Sequence, residues 1–321
     1  MPKEEKSRAE SFFSSLSVVK FRLERPKRFL FLCGGILAAK AEGPGSARDL
    51  FLRSLPDPNV YKEHEIILAE RIDGVFDPTS PYKNLIELEI DIAQISDLIV
   101  LFSEGYGSLA ELGAFSQIPP IAERLMVILK RSHYDEKKSF IKNGPIRFLE
   151  EKDQETVFAF DWETKPHNSN SYVNEASFSS ILPDIKTSID DRISKVPRTH
   201  KFDAKNFGHK ILLACAIVEF YRAAILSDIE DALKWLGIRD TQASTKRMMF
   251  CACAVNWVRK EKRGHRDFYV PLFSDPICKF AYKKGGAERN TLRWKMDIRR
   301  EWKVSDQIRD RLIVALVEDE T

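Results

Sequence analysis

A doubly wound parallel α/β sheet followed by a mainly α domain is the fold class this sequence predicts, and three observations carry it. Residues 29–33, 98–102 and 125–129 are unbroken apolar runs of strand length, the pattern of strands buried on both faces of a parallel sheet. Segments with apolar residues at helical spacing separate them, as in repeated βαβ units. From His209 the strand signals give way to three helical segments and one β-type run.

Taken in order, residues up to about Pro26 are polar except for an amphipathic patch (Phe12, Phe13, Leu16, Val18, Val19), expected as a helix on the body or on a partner. The first strand breaks into Gly34-Gly35, which allows either close approach of a ligand to the backbone or a plain tight turn. Ser46 caps a helix running through Leu55, and a second strand near 65–69 ends at Glu70. Residues 82–94 form the crossover helix into the central strand, with Glu89 and Asp97 as its polar positions. After the next helix, Ile118-Pro119-Pro120 is a stop, since proline cannot continue a helix. Strands at 125–129 and 157–160 and a helix over 177–194 complete this domain, and a linker follows at 197–207.

The later helices are expected at 211–224, at 228–236 with Ser227 as cap and Gly237 as stop, and at 245–260. Gly264 and the run 267–272 come next. Three helices and then a β-type run match a winged helix, whose last helix enters a groove of DNA; a small helical dimerisation domain fits the same pattern. Residues 275–302 read as another basic helical stretch, with Trp294 and Trp302 available for packing or base stacking.

The chain has 321 residues, 43% hydrophobic and 31% charged, enough apolar material for two globular cores. No apolar run approaches the roughly 20 residues a membrane span requires, so a cytoplasmic protein is expected. Five scattered cysteines argue for reduced core thiols, and the six histidines form no ligand-spaced pair, so neither a disulfide framework nor a protein metal site is expected. Net charge is only +3, yet residues 245–303 hold 16 Lys+Arg against 6 Asp+Glu, leaving 35 against 42 elsewhere. That asymmetry points to nucleic acid as a partner of the basic region, through Lys246, Arg247, Arg259, Lys260, Lys262, Arg263 and Arg266.

The central stretch 98–115 reads as strand, phosphate-sized loop and helix, and in open α/β sheets ligands bind beyond the carboxyl ends of the strands. Glu111 is the candidate catalytic carboxylate, placed in the first turn of that helix. Ser108 with Glu111 three residues on also fits a capping box, which needs no ligand. Gly34, Gly35, Glu70, Tyr106, Gly107 and Ser108 are the candidate substrate-binding positions, Gly107 through close backbone approach or positive φ.

Phe31-Leu32-Cys33-Gly34-Gly35, then Gly107-Ser108-Leu109-Ala110-Glu111-Leu112-Gly113-Ala114-Phe115-Ser116, then Lys138-Ser139-Phe140-Ile141 with Gly144-Pro145, resemble the effector (toxin) proteins of bacterial retrons. The resemblance implies a nucleoside 2-deoxyribosyltransferase-like N-glycosidase domain, here 1–200, followed by a winged-helix domain, here 205–321. It implies that Glu111 is catalytic on NAD or related nucleotides, with no cofactor. It further implies an assembly in which a retron reverse transcriptase and its RNA-linked multicopy single-stranded DNA hold the toxin in check until phage infection, with a homo-oligomer or higher assembly expected. Glu104-Gly105-Tyr106 stands where the transferase pattern has an aspartate before Gly-Thr, which bears on transfer to a second base. A non-catalytic nucleotide sensor coupled to a DNA-binding transcription regulator is the other class the same residues allow.

Overall fold

The computed structural model describes residues 6–39, 43–73, 76–167, 170–285 and 290–318. The chain opens with α1 (Arg8–Ser14), β1 (Arg22–Glu24), β2 (Phe29–Gly34), α2 (Ala47–Arg53), β3 (Val60–Tyr61), β4 (His64–Leu68), α3 (Ala69–Asp73), α4 (Leu85–Ala93), β5 (Leu98–Ser103) and α5 (Tyr106–Ser116). It continues with α6 (Pro119–Ala122), β6 (Leu125–Lys130), α7 (Arg131–Tyr134), a π-helical turn over Lys142–Ile146, α8 (Arg147–Glu150), β7 (Val157–Phe160), β8 (Thr164–His167), β9 (Asn170–Val173) and α9 (Glu175–Ser194). The remainder comprises β10 (Thr199–Lys201), α10 (Phe207–Tyr221), α11 (Leu226–Trp235), α12 (Gln242–Ala254), β11 (Val258–Arg263), β12 (Arg266–Pro271), β13 (Cys278–Lys279), α13 (Thr291–Ser305) and α14 (Gln307–Glu318). No helix among the described residues is long and apolar enough to cross a membrane.

Two compact units result. One comprises Lys27–Pro78 and Lys83–Pro197, and its sheet has the order β3-β4-β2-β5-β6-β7. All neighbours from β4 to β7 pair in parallel, and β3 joins as an antiparallel hairpin partner of β4. Even-numbered residues of the central strands (Leu30, Leu32, Val100, Phe102, Met126, Ile128) share one cluster with Phe51 of α2 and Phe178, Ile185 and Ile189 of α9. Odd-numbered residues, Phe31, Ile99, Leu101 and Val127 among them, are equally buried and by strand alternation face the other side, where α3 and α5 contact the sheet. Burial on both faces is why these strands are unbroken apolar runs.

The other unit gathers the described residues of Met1–Pro26, Thr79–Tyr82 and Arg198–Thr321. Here α10, α11 and α12 lead into the antiparallel hairpin β11–β12, and a bridge from Ala224 to Tyr269 ties the α10–α11 turn to the hairpin. Of the amphipathic amino-terminal patch only Phe12 and Phe13 lie on α1, fully buried against Phe220, Tyr221 and Trp294, whereas Leu16 bridges Tyr282 and Val18 and Val19 form a separate short turn over Val18–Lys20. Likewise β1 is the middle strand of a three-stranded sheet between β10 and β13.

Several local expectations are corrected. The third helix ends at Ala254 and not near 260, because Asn256 takes a positive φ of 53° and residues from Val258 pair with β12 around a turn at Gly264, φ 60°. Ser227 is not the cap of α11, since the Asp228 carboxylate accepts the Ile225 N–H at 2.8 Å and performs that role. The expected linker contains β10, and the expected helical stretch 275–302 contains β13 before α13 begins. Residues 286–289 of that stretch lie outside the described residues.

Candidate active site

The strand order reverses between β2 and β5, and this switch point is where the open sheet leaves a crevice at the strands' carboxyl ends. Gly34 ends β2 there with φ +132°, and a Cβ on it would lie 2.4 Å from the Phe102 carbonyl oxygen of β5. The close approach that demands glycine at Gly34 is to the neighbouring strand. Gly34→Ala is expected to destabilise the protein by about 1–3 kcal/mol through overpacking, seen as a lower denaturant midpoint. Gly35 is similarly confined, with a Cβ meeting Ser46 Cβ at 2.6 Å.

Glu104, immediately after β5, turns back onto the first turn of α2. Its Oε2 accepts the Ala47 N–H at 2.8 Å and its Oε1 the Arg48 N–H at 3.2 Å, donors that no intrahelical carbonyl satisfies. Burial pushes its carboxyl above the usual carboxylate range, against those two backbone bonds. Fully buried Arg48 donates to the Gly35 and Leu32 carbonyls at 2.9 and 3.3 Å and forms a two-pronged pair with Glu70. Glu70 lies on α3 directly after β4, and its carboxylate is engaged by Arg48. Neither Glu104 nor Arg48 stood out from sequence as a site residue, although Glu104 marked the departure from the transferase pattern.

The loop before Glu111 caps itself. Ser108 Oγ accepts the N–H groups of Glu104 and Gly105, both at 3.0 Å, and donates to the Gly105 carbonyl at 2.9 Å. Ser108 is buried, with its hydroxyl engaged by the loop. The N-cap is Gly105, which places Ser108 at the third helical position and Glu111 in the second turn. The capping-box alternative for Glu111 and its first-turn placement both fall with that register. Gly107 has an ordinary helical φ and open space around its Cβ position, so strain does not explain the glycine there. Tyr106 opens the helix 95% exposed.

Glu111 is half-buried and shares the sheet-facing side of α5 with Ser108 and Phe115, at three- and four-residue spacing. Its charge reaches the end of β2. Burial first, and then the negative charge of Glu111, hold the Cys33 thiol well above its usual range, with Glu89 and Glu70 adding and Arg48 opposing. Of these groups, Cys33 lies on β2, Arg48 on α2, Glu70 on α3 and buried Glu89 on α4, and Arg48 and Glu70 are in direct contact. Asp97 is not among them. It sits at the amino-terminal start of β5, where it accepts Arg28 Nε at 3.1 Å.

The basic candidates lie in the other unit. Lys246 is exposed on α12, whereas the Arg247 guanidinium stacks 4.8 Å from the Tyr82 ring and 5.3 Å from that of Phe207. Arg259, Lys260, Lys262 and Arg263 are exposed on β11, not on a helix. Arg259 and Arg263 both pair with Glu261, and Lys260 pairs with Asp267 at 2.7 Å. Arg266 of β12 holds Asp306 through two bonds of 2.6 and 2.7 Å. Trp294 packs 5.8 Å from Phe12 and Trp302 packs 5.4 Å from Tyr221, so both are spent on the core.

Fold and site define a mixed α/β chain whose parallel sheet carries a carboxylate-rich switch point, continued by a basic helical unit. Over residues 44–260 the sequence matches the family described as STM3845 retron effector protein, and the chain belongs to that family. It is 34% identical over 157 residues to the "Retron Ec73 putative ribosyltransferase/DNA-binding protein" of Escherichia coli, covering 47% of this chain and 48% of that one. It is 30% identical over 128 residues to the Escherichia coli Ec86 protein of the same description, covering 40% and 39%. The chain thus spans about half the length, or less, of the curated relatives it matches.

Proposed function

We propose that this retron effector is an N-glycosidase that hydrolyses the base–sugar bond of NAD or a related nucleotide, with Glu111 as the catalytic carboxylate. The observation that carries the reading is the position of Glu111: a half-buried carboxylate on the helix that leaves the switch point after β5, its charge acting on the Cys33 thiol of β2 and its side chain relieved of helix capping by Gly105 and Ser108. The ribosyltransferase description of both relatives agrees with bond-breaking at a sugar C1′.

Cleavage builds positive charge at C1′ as the base departs with the bonding electrons. Glu111 attacks that carbon to give a glycosyl-enzyme which water resolves, or stabilises its charge while water attacks directly. Either way water supplies the new C1′ hydroxyl and releases one proton. An attached nicotinamide is cationic and leaves as a neutral base, so no general acid is required. Tyr106, fully presented at the loop, stacks on the base, and open space at Gly107 admits the substrate close to the first helical turn. Incubating the purified protein with NAD, deoxynucleoside triphosphates and deoxynucleosides and identifying the freed base by mass spectrometry tests the assignment. A ligand bound without turnover would favour the nucleotide-sensor reading.

In the same reading the α10–β12 region is a winged helix that contacts the retron reverse transcriptase and its RNA-linked single-stranded DNA, which restrain the toxin until phage infection. Exposed Lys246, Arg259, Lys260, Lys262 and Arg263 face phosphates there. Reversing Arg259, Lys260, Lys262 and Arg263 to glutamate is expected to weaken nucleic-acid binding alike for all sequences and to flatten its salt dependence. Turnover of a free nucleotide should stay as in wild type. Unchanged affinity and salt slope would leave the hairpin a solvated face, its charges already matched by Glu261 and Asp267.

A further inference from the structure

The run Lys138-Ser139-Phe140-Ile141 with Gly144-Pro145 has no part in the switch-point crevice, yet Phe140, Gly144 and Pro145 wall a cavity of their own. It encloses about 510 Å³, within the roughly 300–1,000 Å³ of small-ligand sites. Its lining comes from the carboxyl-terminal half of α5, the π-helical turn and α8, all in the sheet-bearing unit. Glu111 belongs to the sheet-facing side of α5, whereas Gly113, two residues on, is turned by about 200° around the helix and lines the cavity. The cavity is therefore on the other side of α5 from the candidate carboxylate.

Phe140 stands at this cavity 82% exposed. Its ring is nonetheless held in place, resting over Gly144, where an added Cβ would lie 3.6 Å from the ring. Asn143 Nδ2 donates to the carbonyls of Lys137 and Ser139 at 2.8 and 3.0 Å, which ties the chain before Phe140 to the π-helical turn. A large ring kept in water gives up hydrophobic free energy that a flat ligand stacked on it recovers. Gly113 adds a second sign. Nothing lies within 4 Å of its Cβ position, so the fold itself does not require glycine at a mid-helix position where glycine is unfavourable. Its missing side chain keeps the cavity open.

The surroundings are cationic. Residues 137–152 hold five Lys+Arg against two Glu, in a chain that carries 35 against 42 outside 245–303. Lys142 is committed to Glu150 at 3.0 Å and to the Tyr134 ring at 3.4 Å, but Lys137 and Lys138 are exposed beside Phe140. Arg147 lines the cavity, and its 3.0 Å pair with Glu151 is exposed on both sides, an ion pair weak enough to be exchanged for a phosphate. Phe148 forms more of the wall, with Lys152 Nζ 4.1 Å from its ring centroid. Aromatic rings among exposed cations are how proteins take bases together with their phosphates.

We infer that this cavity is a second nucleotide site, in which a base stacks on Phe140 and its phosphate meets Arg147, Lys137 and Lys138. The site is separate from Glu111 and does not depend on the glycosidase reading. Base and phosphate arrive either as a free nucleotide or as one residue of a single strand, and the test separates the two.

The full-length protein is photolabelled with 8-azidoadenosine monophosphate and, separately, with a short oligodeoxythymidine carrying one 5-iododeoxyuridine, and the labelled peptides are mapped by mass spectrometry. Saturable labelling within residues 138–152 by at least one probe is expected. Labelling by the mononucleotide identifies a free nucleotide as the occupant, and labelling by the oligonucleotide alone identifies a strand. Phe140→Ala and Gly113→Leu should each weaken that labelling about tenfold or more, the loss expected on removing a stacking ring or filling its cavity. Thermal midpoints should not fall, since Phe140 is a surface ring and leucine is the better helix former at an unobstructed position. No saturable label in 138–152 from either probe, or label that both variants leave unchanged, would overturn the inference. Should Gly113→Leu not fold, Phe140→Ala decides the matter alone.

Discussion

Glu111→Gln is expected to reduce base release by on the order of 10³-fold or more, as removal of a reacting side chain does in enzymes whose catalytic groups act as a unit. The neutral amide neither attacks C1′ nor offsets its charge, yet it matches the carboxylate in shape. Because Gly105 and Ser108 cap α5, the substitution removes no helix cap, and thermal stability should change by less than about 1 kcal/mol. Quantifying free nicotinamide alongside a thermal unfolding scan separates the two effects. A stable variant with wild-type turnover would end the catalytic assignment, and an unfolded one would make Glu111 a structural residue.

The second large effect is expected within the helical unit. Phe12 is fully buried and stacks on Phe220 with centroids 4.3 Å apart, so Phe12→Ala should cost about 3–5 kcal/mol through the cavity it leaves. Removing residues 1–26 goes further, since it strips both α1 and the middle strand of the β10-β1-β13 sheet. The fragment 198–321 is accordingly expected to lack a cooperative thermal transition on its own and to gain one when residues 1–26 are fused back to it. Cooperative unfolding of the bare fragment in calorimetry would show that the amino-terminal segment is an accessory and not part of that core.

What could be read from sequence follows from how local each signal is. The strands of the sheet were legible because burial on both faces leaves no polar residue in 29–33, 98–102 or 125–129. Glu111 was legible as a carboxylate following a glycine-broken strand, but its register was not. Ser108 with Glu111 matches one capping pattern, and the fold uses another in which Ser108 itself takes the Gly105 N–H. Arg48 and Glu104 stayed hidden because their partners are remote: Arg48 reaches Glu70 across 22 positions and Glu104 reaches Ala47 across 57. The β11 strand was hidden for another reason. Its run of exposed charges carries no alternation of apolar residues, and only pairing with β12 makes it a strand. The docking of Phe12 and Phe13 onto α10 joins residues some two hundred positions apart and leaves only an amphipathic patch as its trace.

Hydrolysis at C1′ directed by Glu111 leaves a signature that oxygen-18 water reads. With NAD as substrate, the wild-type protein should yield nicotinamide and a sugar product carrying one heavy oxygen on C1′, in equal amounts, and Glu111→Gln should yield neither above background. Tight NAD binding with no free nicotinamide, or equal label incorporation by wild type and Glu111→Gln, would contradict the account.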